Sequence, residues 1–156
     1  MYVDESGFDN ASSLGYGYSR KGSRSQGWVK GRATKRMSVI AGQREGKTLA
    51  PLVFEGNTNS EIFIKWIKDF LCPELEEGDK VVMDNASFHK SPKIRRILRK
   101  VGCGLIYLPP YSPDLNKIEH YWAKAKKYHA KHMEQTSWRD GESVMETLVL
   151  CPNLIG

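Results

Sequence analysis

The sequence has 156 residues, of which 40% are hydrophobic and 27% are charged, and its formal net charge is +6. This length suits one compact domain with its own core, and the basic balance favours a polyanionic partner without identifying one. No apolar run reaches the roughly 18 residues of a membrane helix, MYVDESGFDN lacks the features of a signal peptide, and the three scattered cysteines argue against zinc knuckles and disulfide frameworks. We therefore expect a protein of the reducing cytoplasm with no membrane partner.

The first part of the chain predicts a strand, a loop and a hairpin. The first strand is short and ends at Asp4. Residues 9–31 are rich in Gly, Ser, Tyr and basic side chains, which favours a loop or a loose hairpin. Residues 34–41 and 48–54 are predicted strands joined by a turn. Because proline cannot donate to the ladder, Pro51 makes the second of them an edge strand or places a bulge in it.

The middle of the chain alternates helices and strands. Apolar residues repeat at helical spacing after Ser60, and Pro73 ends that helix. Residues 79–84 form a short apolar run ending in an aspartate, which is typical of a buried strand. Residues 91–101 predict a basic amphipathic helix with proline at its first position.

The last part predicts a strand at 104–109, a rigid proline-rich loop, a long helix at about 115–132 and one more helix within 137–150. The whole order indicates an α/β fold with a mixed central sheet flanked by helices, in which strands joined through helices run parallel. We expect a catalytic domain over residues 1–135 and a C-terminal tail over residues 136–156.

Three acidic residues stand where these elements would direct them to one place. Asp4 ends the first strand, Asp84 ends a strand that could lie beside it, and Glu119 lies about one turn into the long helix. Ligands of open α/β sheets gather at the carboxyl ends of strands. Three carboxylates there would repel one another unless a cation joins them, and their oxygens suit Mg²⁺ or Mn²⁺. Taken singly, each acid could be a turn residue or a helix-terminal charge, and Asp4, near the chain start, is expected to be the most loosely held.

Three strings surround these acids: DESGF at 4–8, VVMDNASFHKS at 81–91 and LPPYSPDLNKIEHYWAKAKK at 108–127. Together they closely resemble the catalytic domain of DDE transposases of the IS630 and Tc1/mariner superfamily, and the 34 residues between Asp84 and Glu119 match its spacing. The resemblance implies a ribonuclease-H-like fold and metal-dependent DNA cleavage and strand transfer at the ends of a mobile element. Asp4, Asp84 and Glu119 match the family's catalytic positions, where two Mg²⁺ or Mn²⁺ ions would bind.

The resemblance also implies partners and a location. Transposon ends and target DNA are the expected partners, a second copy of the chain is a candidate partner, and the bacterial cytoplasm is the expected location. The chain departs from the family in two ways: Lys117 stands where a proline is common, and the helix-turn-helix domains that read DNA ends do not occur in this sequence. We therefore expect DNA binding that is mainly electrostatic and weakens with salt.

Eight further residues are candidates for contact with DNA: Lys21, Lys30, Asn85, His89, Lys90, Asn116, Lys124 and Lys127. The two in the basic, aromatic segment before residue 36 suit a DNA-contacting loop. Each of the others has a structural alternative. Asn85 could form a turn, and His89 could bond within its own loop rather than to a phosphate. Asn116 or Asp114 could cap the long helix, while its lysines could be a solvated face.

Two alternatives to an active transposase domain stay open at this stage. One is an inactive or truncated transposase remnant that binds DNA without catalysis. The other is a ribonuclease-H-like nuclease of RNA–DNA hybrids, against which the YSPDLN-x-IE string argues. Metal-dependent nicking of DNA distinguishes the first alternative, and an assay with hybrid substrates distinguishes the second.

Overall fold

The computed structural model describes residues 1–8, 36–110, 112–133 and 140–150. Within these ranges the strands form one sheet in the order β3-β2-β1-β4-β5. Strand β1 is antiparallel to β2 and parallel to β4, and β5 is parallel to β4, so the predicted mixed sheet is confirmed. The strands are β1 (Tyr2–Phe8), β2 (Met37–Arg44), β3 (Lys47–Glu55), β4 (Lys80–Met83) and β5 (Gly104–Tyr107).

The helices follow the predicted order. They are α1 (Ser60–Trp66), α2 (Pro92–Lys100), α3 (Ile118–Met133) and α4 (Asp140–Leu150). The side chain of Asn59 caps α1 by accepting hydrogen bonds from two backbone N–H groups of its first turn. After α1 the chain continues through a π-helical turn and then a 3₁₀ turn at Cys72–Glu74, where Pro73 ends the helical segment as predicted. No helix in the described ranges is long and apolar enough to cross a membrane.

The first strand differs from its prediction. β1 runs on to Phe8, so Asp4 lies within the strand rather than at its end. The strand is also central, because β2 pairs with one edge of it and β4 with the other. The chain start is fixed by two hydrogen bonds, from the Met1 amino group to the Lys80 carbonyl (3.0 Å) and from the Val82 N–H to the Met1 carbonyl (2.8 Å). Asp4 is buried in this strand, so the expectation that it is loosely held was wrong.

Both predictions for Pro51 are confirmed. β3 is an edge strand, and Ala41 of β2 faces two residues of β3, Ala50 and Pro51, because the register shifts between Ile40 and Gly42. Ala50 has a positive φ of 50° at this bulge. The indole Nε1 of Trp66 donates to the Ala50 carbonyl (2.7 Å), so the bulge gives α1 an attachment point on the sheet.

The sheet separates two apolar cores. One contains Phe63 and Trp66 of α1 with Ile94 and Leu98 of α2. The other contains Val144 and Leu148 of α4 together with four residues of α3, which are Ile118, Tyr121, Trp122 and Ala125. The alternation along β2, with Ile40 in the first core and its neighbours in the second, confirms that helices cover both faces. The helix predicted in the tail is thus present and packs into the second core.

Candidate active site

A groove opens beyond the carboxyl ends of the parallel strands β4 and β5. Its volume is about 450 Å³. Asp84 and Glu119 both line it: Asp84 directly follows β4, and Glu119 lies in the first turn of α3. The other lining residues are Asn85, Ala86, Lys90, Leu108, Pro109, Pro110, Ser112 and Asn116. Two of the three predicted catalytic carboxylates therefore share one concave surface.

Asp4 lies behind this groove and joins it through Asn116. The Asn116 side-chain amide donates from Nδ2 to Asp4 Oδ2 over 3.2 Å, and both side chains are buried. The pKa of Asp4 is raised to about 7, mainly by burial; the nearby charges of Glu5, Glu119 and Asp84 act in the same direction, and a hydrogen bond from the Glu5 backbone opposes them. The three predicted carboxylates are thus close enough to influence one another electrostatically.

Asp84 is held in one orientation by its own loop. Its Oδ1 accepts a hydrogen bond from the Ala86 N–H (2.9 Å) and lies 2.5 Å from His89 Nδ1. The hydrogen bond from His89 lowers the pKa of Asp84, which keeps this carboxylate ionised although burial acts in the opposite direction. Asp84 is still about half exposed, with 46% of its side chain accessible. It combines a fixed orientation with access to the groove.

His89 connects Asp84 to a fourth acid, Glu5. The other ring nitrogen, Nε2, lies 2.9 Å from Glu5 Oε1. Burial by itself lowers the pKa of His89, but the hydrogen bonds and charges of Asp84 and Glu5 outweigh it and raise the pKa to about 9. An imidazolium at neutral pH donates from both nitrogens, so one cation is shared by two carboxylates.

The position of His89 contradicts the expectation that it contacts a DNA phosphate. Its side chain is fully buried and packs on the rings of Phe63 and Phe88, with centroid distances of 4.3 and 4.5 Å. Tyr107 donates a hydrogen bond from its hydroxyl to the His89 carbonyl (2.7 Å), which fixes the backbone as well. The alternative, in which His89 bonds within its own loop, is the arrangement that the structure shows.

The other candidate DNA contacts fall into three groups. Asn85 and Lys90 line the groove, although the Asn85 side chain also donates to the Leu108 carbonyl and ties the β4 loop to the β5 loop. Lys124 and Lys127 are exposed on α3. Lys21 and Lys30 lie outside the described residues. Their contacts with DNA stay predictions.

Asn116 does not cap α3 with its side chain. Its backbone carbonyl accepts the Glu119 N–H (3.0 Å), while the side-chain amide turns to Asp4. The amide oxygen, Oδ1, is buried and has no hydrogen-bond partner among the described residues. A buried acceptor beside a shared carboxylate site is unusual, because such groups normally have partners.

The donor set fits a divalent cation. No three acidic, histidine or cysteine side chains in the described ranges lie close enough together to form a ready-made metal site. The available ligands are nevertheless hard oxygens: three electrostatically coupled carboxylates and the unpartnered Asn116 amide oxygen. A cation would also favour the ionised form of Asp4, whose pKa is raised mainly by burial and also by the neighbouring carboxylates. The assignment of Asp4, Asp84 and Glu119 as catalytic and metal-binding residues stays a prediction.

The comparison with protein families decides the classification. The family described as DDE superfamily endonuclease matches residues 1–141. The chain belongs to this family. No curated protein matches the chain.

The solved structures show the same fold. A Mos1 strand transfer complex gives a TM-score of 0.66 at 12% identity, over 98% of this chain and 51% of that one. The Mos1 transposase catalytic domain with raltegravir and Mg gives 0.59 at 16% identity, over 95% and 67%. The BIV integrase catalytic core gives 0.53 at 13% identity, over 75% and 74%. The predicted ribonuclease-H-like fold is confirmed, and this chain spans about half the length of the Mos1 chain in the strand transfer complex.

Sequence reasoning missed Glu5 as a member of this site. Glu5 directly follows Asp4, so the two side chains leave β1 on opposite faces of the sheet. Its partner, His89, is 84 residues away in the sequence. Only the DESGF string placed Glu5 near the site, and nothing in that string indicates a buried histidine.

Proposed function

We propose that this chain is the catalytic domain of a transposase of the IS630 and Tc1/mariner superfamily, which cleaves and joins DNA at mobile-element ends. The observation that carries the proposal is the placement of Asp84 and Glu119 on one groove of a DDE endonuclease fold, with Asp4 hydrogen-bonded to Asn116 of the same groove. Structures similar to this chain include a Mos1 paired-end complex with a transposon end and Mos1 structures with Mn or Mg. The proposal includes DNA as partner, a second copy of the chain as a candidate partner, and the bacterial cytoplasm as location.

The residues of the groove divide the work of a phosphoryl transfer. Asp4, Asp84 and Glu119 would hold Mg²⁺ or Mn²⁺, which activates the attacking hydroxyl and stabilises the leaving oxygen when bound. Asp84 remains ionised because His89 donates to it, and Asn116 orients Asp4 through its amide. Lys90 lines the same groove and supplies positive charge for a phosphate there. Positioning and charge neutralisation are the main contributions a protein makes to this chemistry.

The test is cleavage of plasmid DNA in Mn²⁺ by the wild type, Asp84→Asn and Glu119→Gln. Each substitution removes a charge at the groove and should lower the cleavage rate by about 10³-fold or more, the equivalent of several kcal/mol. Glu61→Gln is the matched control, because Glu61 is also an exposed acid in the first turn of a helix. Folded variants of Asp84 and Glu119 that cleave as fast as the control would contradict the proposal.

A second candidate function is DNA binding without catalysis. The observation in its favour is that Asp4 is buried and hydrogen-bonded to Asn116, whereas Asp84 and Glu119 line the groove itself. This function predicts that the wild type binds a DNA duplex but shows no nicking in Mn²⁺ or Mg²⁺. A shift in melting temperature on adding metal separates the two functions before any cleavage assay, because a ligand that binds the folded state stabilises it.

A further inference from the structure

A second concave surface, the α2 groove, lies beside the candidate active site. It has a volume of about 420 Å³. Its lining residues are Lys90, Ser91, Pro92, Arg95, Arg96, Arg99 and Tyr107. Lys90 also lines the groove of the candidate active site, so the two grooves are neighbours on the surface.

The α2 groove is strongly basic and rigidly supported. Three arginines and one lysine line it, and no acidic residue does. None of the ion pairs found within the described ranges involves these four side chains. Ile94 and Leu98, on the other side of α2, are fully buried in the first core. The three arginines therefore project from a helix that is anchored to the core and cannot easily turn away from a ligand.

We propose that the α2 groove binds the phosphodiester backbone of DNA next to the segment in the candidate active site. Guanidinium groups suit phosphate because they donate two parallel hydrogen bonds to it. Arg95 and Arg99 are four residues apart, which is about 6 Å along a helix and roughly two phosphate steps of one strand along the DNA axis. This inference rests on the proposed function, since it extends the DNA path of that site.

The chain offers a matched pair of variants on the same helix. Arg95→Gln/Arg99→Gln removes two cations that line the α2 groove, and Lys93→Gln/Lys100→Gln removes two exposed cations of α2 that do not. Both change the net charge equally and keep good helix formers. Fluorescence anisotropy with a DNA duplex in EDTA, at several salt concentrations, gives affinity and its salt dependence without any cleavage.

The arginine variant should reduce the slope of log affinity against log salt by about 2, because each lost phosphate contact removes about 0.9. The lysine variant should leave that slope near the wild-type value. Equal slopes for the two variants, or a wild type that does not bind duplex DNA, would overturn the inference. A chain that never cleaves but shows the expected difference would contradict the proposed function and leave the α2 groove supported.

A separate observation supports an inference about Glu5 and His89. His89 bridges Asp84 and Glu5 with both ring nitrogens, and the ring is fully buried against aromatic side chains. We infer that Glu5 and His89 are positioning residues, which hold the Asp84 carboxylate through its Oδ1 so that it is oriented towards a metal ion in the groove. Partners that orient a metal ligand typically change metal affinity about 10- to 100-fold when they are removed. This inference also rests on the proposed function.

The test is Mn²⁺ binding to the DNA-free protein, followed by electron paramagnetic resonance. Glu5→Ala should weaken Mn²⁺ binding by about 10-fold or more, and Glu5→Gln, which keeps an acceptor for His89, should recover part of the loss. Glu61→Gln should bind as the wild type does. If Glu5→Ala only lowers the melting temperature and binds Mn²⁺ normally, the positioning role is wrong. If the wild type itself binds no Mn²⁺, the proposed function fails first.

Discussion

Replacing Asp4 by Asn should make the metal-free protein more stable at alkaline pH. Burial raises the pKa of Asp4 from 3.8 to about 7, so the folded state prefers the protonated acid. The unfolded chain ionises near pH 4, and the folded chain therefore holds an extra proton between about pH 4 and 7. The contribution of protonated Asp4 to the free energy of unfolding is fully present below that window. It falls as pH rises through the window and is lost above pH 7.

The magnitude follows from the shift. About three pKa units at 1.4 kcal/mol per unit give roughly 4 kcal/mol that ionised Asp4 costs the folded state above pH 7. Asparagine has nearly the same shape and no charge, and its amide oxygen can still accept from Asn116 Nδ2. Asp4→Asn should therefore be more stable than the wild type by up to about 4 kcal/mol at pH 8, but by only about 1 kcal/mol at pH 4.5.

Urea denaturation in EDTA at the two pH values measures this difference. Other groups titrate equally in both proteins. The difference between the two free energies of unfolding therefore isolates the pH-dependent contribution of Asp4. Asp69→Asn, at an exposed position of the π-helical turn, is the control and should show no pH-dependent difference. A stability difference between wild type and Asp4→Asn that is the same at both pH values would refute the reasoning. Adding Mn²⁺ at pH 8 should then stabilise the wild type more than the variant.

Other predictions concern stability and DNA binding. Trp66→Phe loses the hydrogen bond to the Ala50 carbonyl and should lower the free energy of unfolding by about 1 kcal/mol in urea titrations. Leu148→Ala should cost about 2–5 kcal/mol because Leu148 is buried in the second core, whereas Val149→Ala, at a residue 63% exposed, should change stability by less than about 0.5 kcal/mol. Equal effects would mean that α4 does not pack as described. Affinity for a DNA duplex should fall steeply between 50 and 200 mM salt, about 10³-fold if six phosphates are contacted.

The sequence predicted the order of elements well because the apolar pattern is strong in most of them. It failed at β1, where Asp4, Glu5 and Ser6 interrupt the apolar residues in the middle of a strand. Asp4 and Ser6 are buried polar residues on a central strand, and a pattern rule interprets such residues as the end of a strand. The error thus falls where the proposed site departs from ordinary packing.

The candidate site was predictable only in part, for a related reason. Asp84 and Glu119 follow local patterns, a strand end and a helix start, and these patterns survive in the structure. The hydrogen bond from Asn116 to Asp4 joins residues 112 positions apart, and no local sequence pattern predicts it. His89 could be interpreted from the sequence either as a contact to DNA or as a residue that bonds within its own loop, and its packing on Phe63 favours the second interpretation. Which distant residue a polar side chain contacts depends on how the helices and strands pack together, and local sequence patterns do not specify that packing.

The two neighbouring acids of β1 show how the fold distributes charge around the site. Glu5 leaves the strand on one face and meets the His89 imidazolium, which stabilises it. Asp4 leaves on the other face and meets an uncharged amide, with two further carboxylates nearby. Glu5 is thus neutralised by a cation of the protein itself, whereas Asp4 has no positively charged partner among the described residues. A divalent cation bound in the groove would stabilise ionised Asp4. The free energy that ionised Asp4 costs the metal-free folded state would then be recovered on binding and would favour the metal-bound form.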